Sequence, residues 1–258
     1  MVTSSRIHIL AFTLVAILTA APPAPAAAAG PALTASVPTT PLAASDKRHG
    51  VLALAGGLYA YLPTGLTGVP VPLLVAFHGA GGLASNVLKA YRADADARGF
   101  VLLLPQSIKP TWDMVEDLSG RIGLEMNVSP RYGKDLKAVD AALADLFTKV
   151  AIDPARVGVA GFSDGATYAV SVGTANPRLF HTIIAFSPGP AFPTKFDATQ
   201  RIFISHAEQD PVLPYSYTRS LVAMLRVKKM PVMFESFKGG HEVPKAIRAK
   251  AMDYFMAK

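Results

Sequence analysis

Three side chains, far apart in the chain, could together move a proton and form a covalent bond. Gly161-Phe-Ser-Asp-Gly165 follows the apolar run Val157-Gly-Val-Ala160 and precedes the small, helix-compatible run Ala166-Thr-Tyr-Ala-Val-Ser171. That is G-x-S-x-G with a strand before it and a helix after it, the context that motif requires. The spacing has a steric reason. A serine on a tight strand-to-helix turn holds a strained backbone, and two residues either side the strand and helix nearly touch, so only glycine fits there. Ser163 is the candidate nucleophile.

A serine hydroxyl at neutral pH needs a base, and the base needs an orienting acid. Six histidines can be screened by place. His8 falls in an apolar leader and His49 ahead of the domain. His78 and His206 end strands but come too early in the chain, and His181 sits at the wrong end of a strand. His241, in Lys238-Gly-Gly-His-Glu242 just past the last strand, meets both tests. For the acid, His206-Ala-Glu-Gln-Asp-Pro-Val-Leu-Pro214 follows the strand before the last. Asp210 precedes a proline turn that fixes a short carboxylate, and is favoured over Glu208. Backbone donors for an oxyanion are expected at Asp164, on the helix start, and at Ala80 in His78-Gly-Ala-Gly-Gly82. His78 itself reads as a brace for that loop, and His206 as a structural strand-end residue.

The elements that must carry these residues alternate. Leu58–Leu62, Val71–Phe77, Phe100–Leu104, Thr182–Phe186, Arg201–Ser205 and Pro231–Phe237 read as strands, beside the strand leading into Ser163. Helices are expected after Gly82 through Arg98, over 135–150 from the spacing of Leu136, Val139, Leu143, Leu146 and Phe147, over 215–227, and over 243–256. The strands are apolar on both faces, which predicts an α/β protein with a mostly parallel central sheet and helices on both faces. Residues 111–131 show no clear period and read as an excursion forming a substrate wall, with Trp112 and Met114 as candidate contacts, Trp112 reading equally as plain core, and Phe162 packing under the turn.

Together, Gly-Phe-Ser163-Asp-Gly, His78-Gly-Ala-Gly-Gly, Asp210-Pro-Val-Leu-Pro and Gly-Gly-His241 resemble the α/β-hydrolase superfamily. Within it the chain looks like secreted phospholipase/carboxylesterases, feruloyl esterases and polyhydroxybutyrate depolymerase-like proteins, and Thr111-Trp-Asp113 recurs in that group. The resemblance covers the chain from about residue 51. It implies a serine esterase that cleaves a small-molecule or polymer ester with no cofactor and no metal, under a minimal lid. The absence of cysteine departs from depolymerases and many feruloyl esterases, so the resemblance does not fix a substrate.

Composition bounds the rest. A chain of 258 residues, 51% apolar and 17% charged, can bury one ample core. With no cysteine, thiol catalysis and thiolate metal sites are excluded. Arg6, the apolar run 7–21 and a small-residue stretch through Ala29 read as a signal peptide over residues 1–29, too short to span a bilayer. Export to the periplasm or medium is expected, then a flexible Ala/Pro/Thr-rich linker over 30–50 and one domain over 51–258. The net charge of +7 gathers near the C-terminus, in Arg226, Lys228, Lys229, Lys245, Arg248 and Lys250. This reads as a solvated helix face with weak attraction to acidic surfaces, without the aromatic interleaving of a nucleic-acid site. Two rival readings are a binding protein on a hydrolase scaffold and a dinucleotide enzyme. The second is suggested by Gly79-Ala-Gly81-Gly-Leu-Ala84, but the next strand ends Leu104-Pro-Gln-Ser107, with no carboxylate to hold a ribose.

Overall fold

The computed structural model describes residues 30–39, 42, 48–121 and 129–257. The expected leader, residues 1–29, lies outside the described residues, as do residues 122–128 of the expected excursion. Eight strands form one sheet: β1 (Gly50–Ala53), β2 (Tyr59–Leu62), β3 (Val71–Phe77), β4 (Val101–Leu104), β5 (Ile152–Phe162), β6 (Thr182–Phe186), β7 (Arg201–Ala207) and β8 (Val232–Phe237). Among the described residues six α-helices accompany them: α1 (Ala84–Arg98), α2 (Asp113–Arg121), α3 (Lys134–Lys149), α4 (Asp164–Ala175), α5 (Tyr215–Val227) and α6 (Lys245–Met256).

The sheet order is β1-β2-β4-β3-β5-β6-β7-β8. The first two strands run antiparallel at one edge, and all pairings from β4 to β8 are parallel. This is the α/β-hydrolase fold. Alternation along β3 divides the core: Leu73, Val75 and Phe77 face α2, α3, α4 and α5, whereas Leu74 and Ala76 face α1 and α6. Close packing on the second face needs Gly158, where a Cβ would come 2.8 Å from the Phe255 ring.

Chain direction across the sheet reverses at β3, which has β4 on one side and β5 on the other. The loops leaving the C-terminal ends of β3 and β5 therefore diverge, one into α1 and one into α4. In a doubly wound sheet this divergence opens the crevice where ligands bind.

Two expectations need correction. Residues 113–121 are helical: Met114 and Leu118, one turn apart, are both buried, giving α2 its inner face. Residues 31–37, expected as flexible linker, lie against the domain. Asp140 accepts the backbone N–H groups of Thr34 and Ala35 (both 2.8 Å), and Asn176 Oδ1 accepts that of Leu33 (2.8 Å). Leu33, Ala35 and Val37 pack on the core beneath.

Candidate active site

Ser163 sits between β5 and α4 with φ 56° and ψ −124°, a conformation that costs a non-glycine residue about 1–3 kcal/mol. Surrounding bonds impose it. The Ser163 N–H donates to Phe186 O on β6 (2.9 Å), and Ser163 O accepts the N–H groups of Ala166 (2.9 Å) and Thr167 (3.0 Å). The two motif glycines answer to contact: a Cβ on Gly161 would overlap the Gly165 carbonyl, and one on Gly165 would overlap those of Phe77 and His78.

β8 and its following turn deliver His241, and β7 and its turn deliver Asp210. Ser163 Oγ lies 2.9 Å from His241 Nε2, and His241 Nδ1 lies 2.7 Å from Asp210 Oδ2. A carboxylate accepts, so Nδ1 carries the proton, and Nε2 offers its lone pair to the serine hydroxyl. The Asp210 side chain is fully buried; its other oxygen accepts the Val212 (2.8 Å) and Leu213 (2.9 Å) N–H groups. Burial opposes its ionisation. The His241 N–H and these two backbone donors outweigh that and hold the carboxyl below its ordinary 3.8. The rival Glu208 points elsewhere, accepting the Ser236 hydroxyl (2.9 Å) at an exposed position. Phe162 lies against the imidazole, ring centroids 4.6 Å apart, so it faces the site as well as packing at the turn.

Above the serine, the β3–α1 loop is fixed at several points. The Trp112 indole N–H donates to His78 O (2.9 Å), Gly81 N–H to Pro110 O (2.7 Å), and Gly82 N–H to Gly79 O (2.9 Å). His78 braces it from within. Its Nε2 accepts the Ser107 N–H (3.2 Å), which leaves Nδ1–H to donate to Gly79 O (2.8 Å). Burial keeps this imidazole below its ordinary value, hence neutral. The loop approaches Ser163 so closely that a Cβ on Gly79 would come 3.3 Å from Ser163 Cβ. Among the described residues, neither the Ala80 nor the Asp164 N–H donates to another group of the chain. Asp164 begins α4, where the helix dipole adds to its pull on an anion. Its side chain accepts the Thr111 hydroxyl (2.6 Å), tying the elbow to the 111 loop.

Trp112 and Met114 are not substrate contacts. Both are fully buried in the core, the indole between Phe77 and Tyr168. Trp112 acts on the site through the His78 carbonyl. Nearby, Asp113 and Asp135 cross-brace the starts of α2 and α3: each accepts the other's backbone N–H at 2.9 Å.

The residue that sequence reasoning undervalued is His206. It is fully buried, with Nε2 3.0 Å from Leu213 O and 3.2 Å from Asp210 Oδ2. Both are acceptors, so Nε2 carries the proton. Burial holds the ring below its ordinary value, so Nδ1 is bare and accepts the Thr218 hydroxyl (2.6 Å). The signal was its position four residues before Asp210, on the strand that launches the turn. No group of three or more metal-ligating side chains occurs among the described residues.

This arrangement can deprotonate a hydroxyl. A profile described as "Dienelactone hydrolase family" matches residues 58–243. A relative described as "Putative esterase NocK", from Nocardia uniformis subsp. tsuyamanensis, is 24% identical over 210 residues. That alignment covers 76% of this chain and 59% of the relative, so the chain spans less than two thirds of that protein's length. The solved structure of esterase PE8 superposes with a TM-score of 0.58 at 22% identity, covering 79% of this chain and 98% of that one. A Bacillus cereus carboxylesterase gives 0.57 at 18% identity, covering 77% and 93%. At these identities the structural likeness speaks for the fold.

Proposed function

The chain belongs to the dienelactone hydrolase family, and on that premise we propose that it is an exported serine esterase cleaving short-acyl or aryl carboxylic esters. His241 Nε2 takes the Ser163 proton as Oγ attacks the ester carbonyl carbon. The carbonyl electron pair moves onto oxygen, where the Ala80 and Asp164 N–H groups hold the oxyanion. The tetrahedral adduct collapses, the C–O bond to the alcohol breaks, and His241 gives its proton to the departing oxygen. A water molecule then repeats the sequence on the acyl-enzyme, releasing the acid and free serine. Asp210 stays ionised and holds the imidazole in the tautomer the reaction needs.

The observation that carries this reading is the unbroken line of contacts, 2.9 Å from Ser163 Oγ to His241 Nε2 and 2.7 Å from Nδ1 to Asp210 Oδ2. The test is hydrolysis of 4-nitrophenyl acetate and butyrate by the purified protein and by Ser163→Ala. Turnover is expected in the first and background rates in the second; equal turnover by both would end the esterase reading. Export rests on Arg6 and the apolar run that follows it. N-terminal sequencing of protein recovered outside the cytoplasm should begin near residue 30, and an intact Met1 would refute cleavage.

A further inference from the structure

We infer that the cavity beside Ser163 on the α1–α6 face is the receptor for a neutral aryl group of the ester. The inference takes its chemistry from the esterase reading. The cavity measures about 300 Å³ and is walled by Gly79 and Ala80, by Ala90 and Tyr91 of α1, by Phe162 and by Val243. It comes within one residue of the nucleophile: Gly79 and Phe162 line it, a Cβ on Gly79 would come 3.3 Å from Ser163 Cβ, and the Phe162 ring centroid lies 4.6 Å from that of His241.

Size, lining and charge select the class of group. An apolar cavity of about 150 Å³ already holds benzene, so this one holds a single substituted ring and not a long lipid chain. Phe162 and Tyr91 offer aromatic surfaces, which favour offset or edge contacts with a ring. Arg248 reaches the cavity, but its Nε lies 3.2 Å from Asp94 Oδ2, and its Cζ lies 6.0 Å from the Tyr91 ring centroid. Asp94 also lies 3.7 Å from Arg98 Nε, and Arg98 pairs in turn with Asp253. Two cations face two anions, so Arg248, which lines the cavity, is already matched by a carboxylate and offers no unpaired charge to a carboxylate-bearing substrate.

The test compares ethyl butyrate, benzyl acetate (ring on the alcohol) and ethyl phenylacetate (ring on the acid), on wild type, Ala90→Trp and Val243→Phe. The two substitutions fill the cavity from opposite walls at half-buried positions, so one reads the site even where the other misfolds. For one aryl ester, wild-type kcat/KM should exceed that of ethyl butyrate about tenfold or more. Either variant should remove that advantage while leaving ethyl butyrate within about twofold, and the ester affected identifies which half of the substrate enters. Parallel losses on all three esters, or no loss on any, overturn the inference. So does faster hydrolysis of monomethyl terephthalate than of methyl 4-methylbenzoate. Binding is read separately in Ser163→Ala, where benzyl alcohol should raise Tm, and Ala90→Trp should abolish the shift. A shift in a protein that hydrolyses no ester would sink the esterase reading and leave the ring site standing. Hydrolysis with no shift and no ring preference would sink the ring site alone.

Discussion

His206 Nε2 stands 3.2 Å from Asp210 Oδ2, the same oxygen that faces His241. One carboxylate oxygen thus serves two imidazoles, of which only His241 reaches the serine. The donation from His206 fixes Asp210 and draws some of its charge away from His241. His206→Asn should lower kcat/KM about tenfold, the order expected for one hydrogen bond to a charged group. A fall in stability with kcat/KM within about twofold would make His206 purely structural.

Asp210→Asn should reduce kcat by about three to four orders of magnitude, by favouring the wrong imidazole tautomer. Glu208→Gln should stay within about twofold, since that exposed side chain accepts the Ser236 hydroxyl and, among the described residues, makes no hydrogen bond to His241. Steady-state kinetics on one reporter ester decide, and the reverse ranking would move the acid to Glu208.

Gly161→Ala should be among the most damaging single changes, because the added methyl has the Gly165 carbonyl in its place and neither backbone can retreat. A loss above about 4 kcal/mol in urea denaturation, or no soluble protein, is expected. Gly120→Ala, where nothing lies within 4 Å of the new atom, is the control and should be neutral or stabilising.

Trp112→Phe removes the donor to His78 O from a fully buried position. Stability should fall by about 1–3 kcal/mol. The His78–Gly82 loop loses a support, so on the proposed mechanism kcat should fall while KM changes little. A KM effect without loss of stability would restore Trp112 as a substrate contact.

His78 and His206 are both kept below their ordinary 6.5 by burial. The folded form therefore resists a proton that the unfolded chain accepts. Their contribution to stability is whole above about pH 6.5 and declines as pH falls below it. Thermal denaturation between pH 8 and pH 5 should show Tm level at first, then dropping below pH 6.5. A level Tm across that range would contradict the neutral, buried state of both rings.

What the sequence disclosed follows from where the information is local. The elbow is written in five consecutive residues, because backbone contact at Gly161 and Gly165 leaves no latitude. His241 and Asp210 could be chosen because strands of a parallel sheet end on one edge, so place in chain predicts place in space. The strands β3 and β6 and the helix α5 matched their apolar runs residue for residue. Helix α2 was missed, since nine residues with two buried side chains carry too short a period to register. Met114 was misjudged and Trp112 left open because burial depends on what folds over a residue; Phe77 and Tyr168, from elsewhere in the chain, cover the Trp112 indole. The contact between His206 and Asp210 was hidden for the same reason, as only the turn of Asp210-Pro-Val brings the two together.

Asn176, which caps the far end of α4, spends its amide on the chain's early residues: Nδ2 donates to Pro31 O and Val172 O, and Oδ1 accepts from Leu33. The helix that presents Ser163 is thereby anchored at its tail by a strap which precedes the first strand. A protein beginning at residue 50 would keep every described strand and the side chains of Ser163, Asp210 and His241 yet lose this moorage.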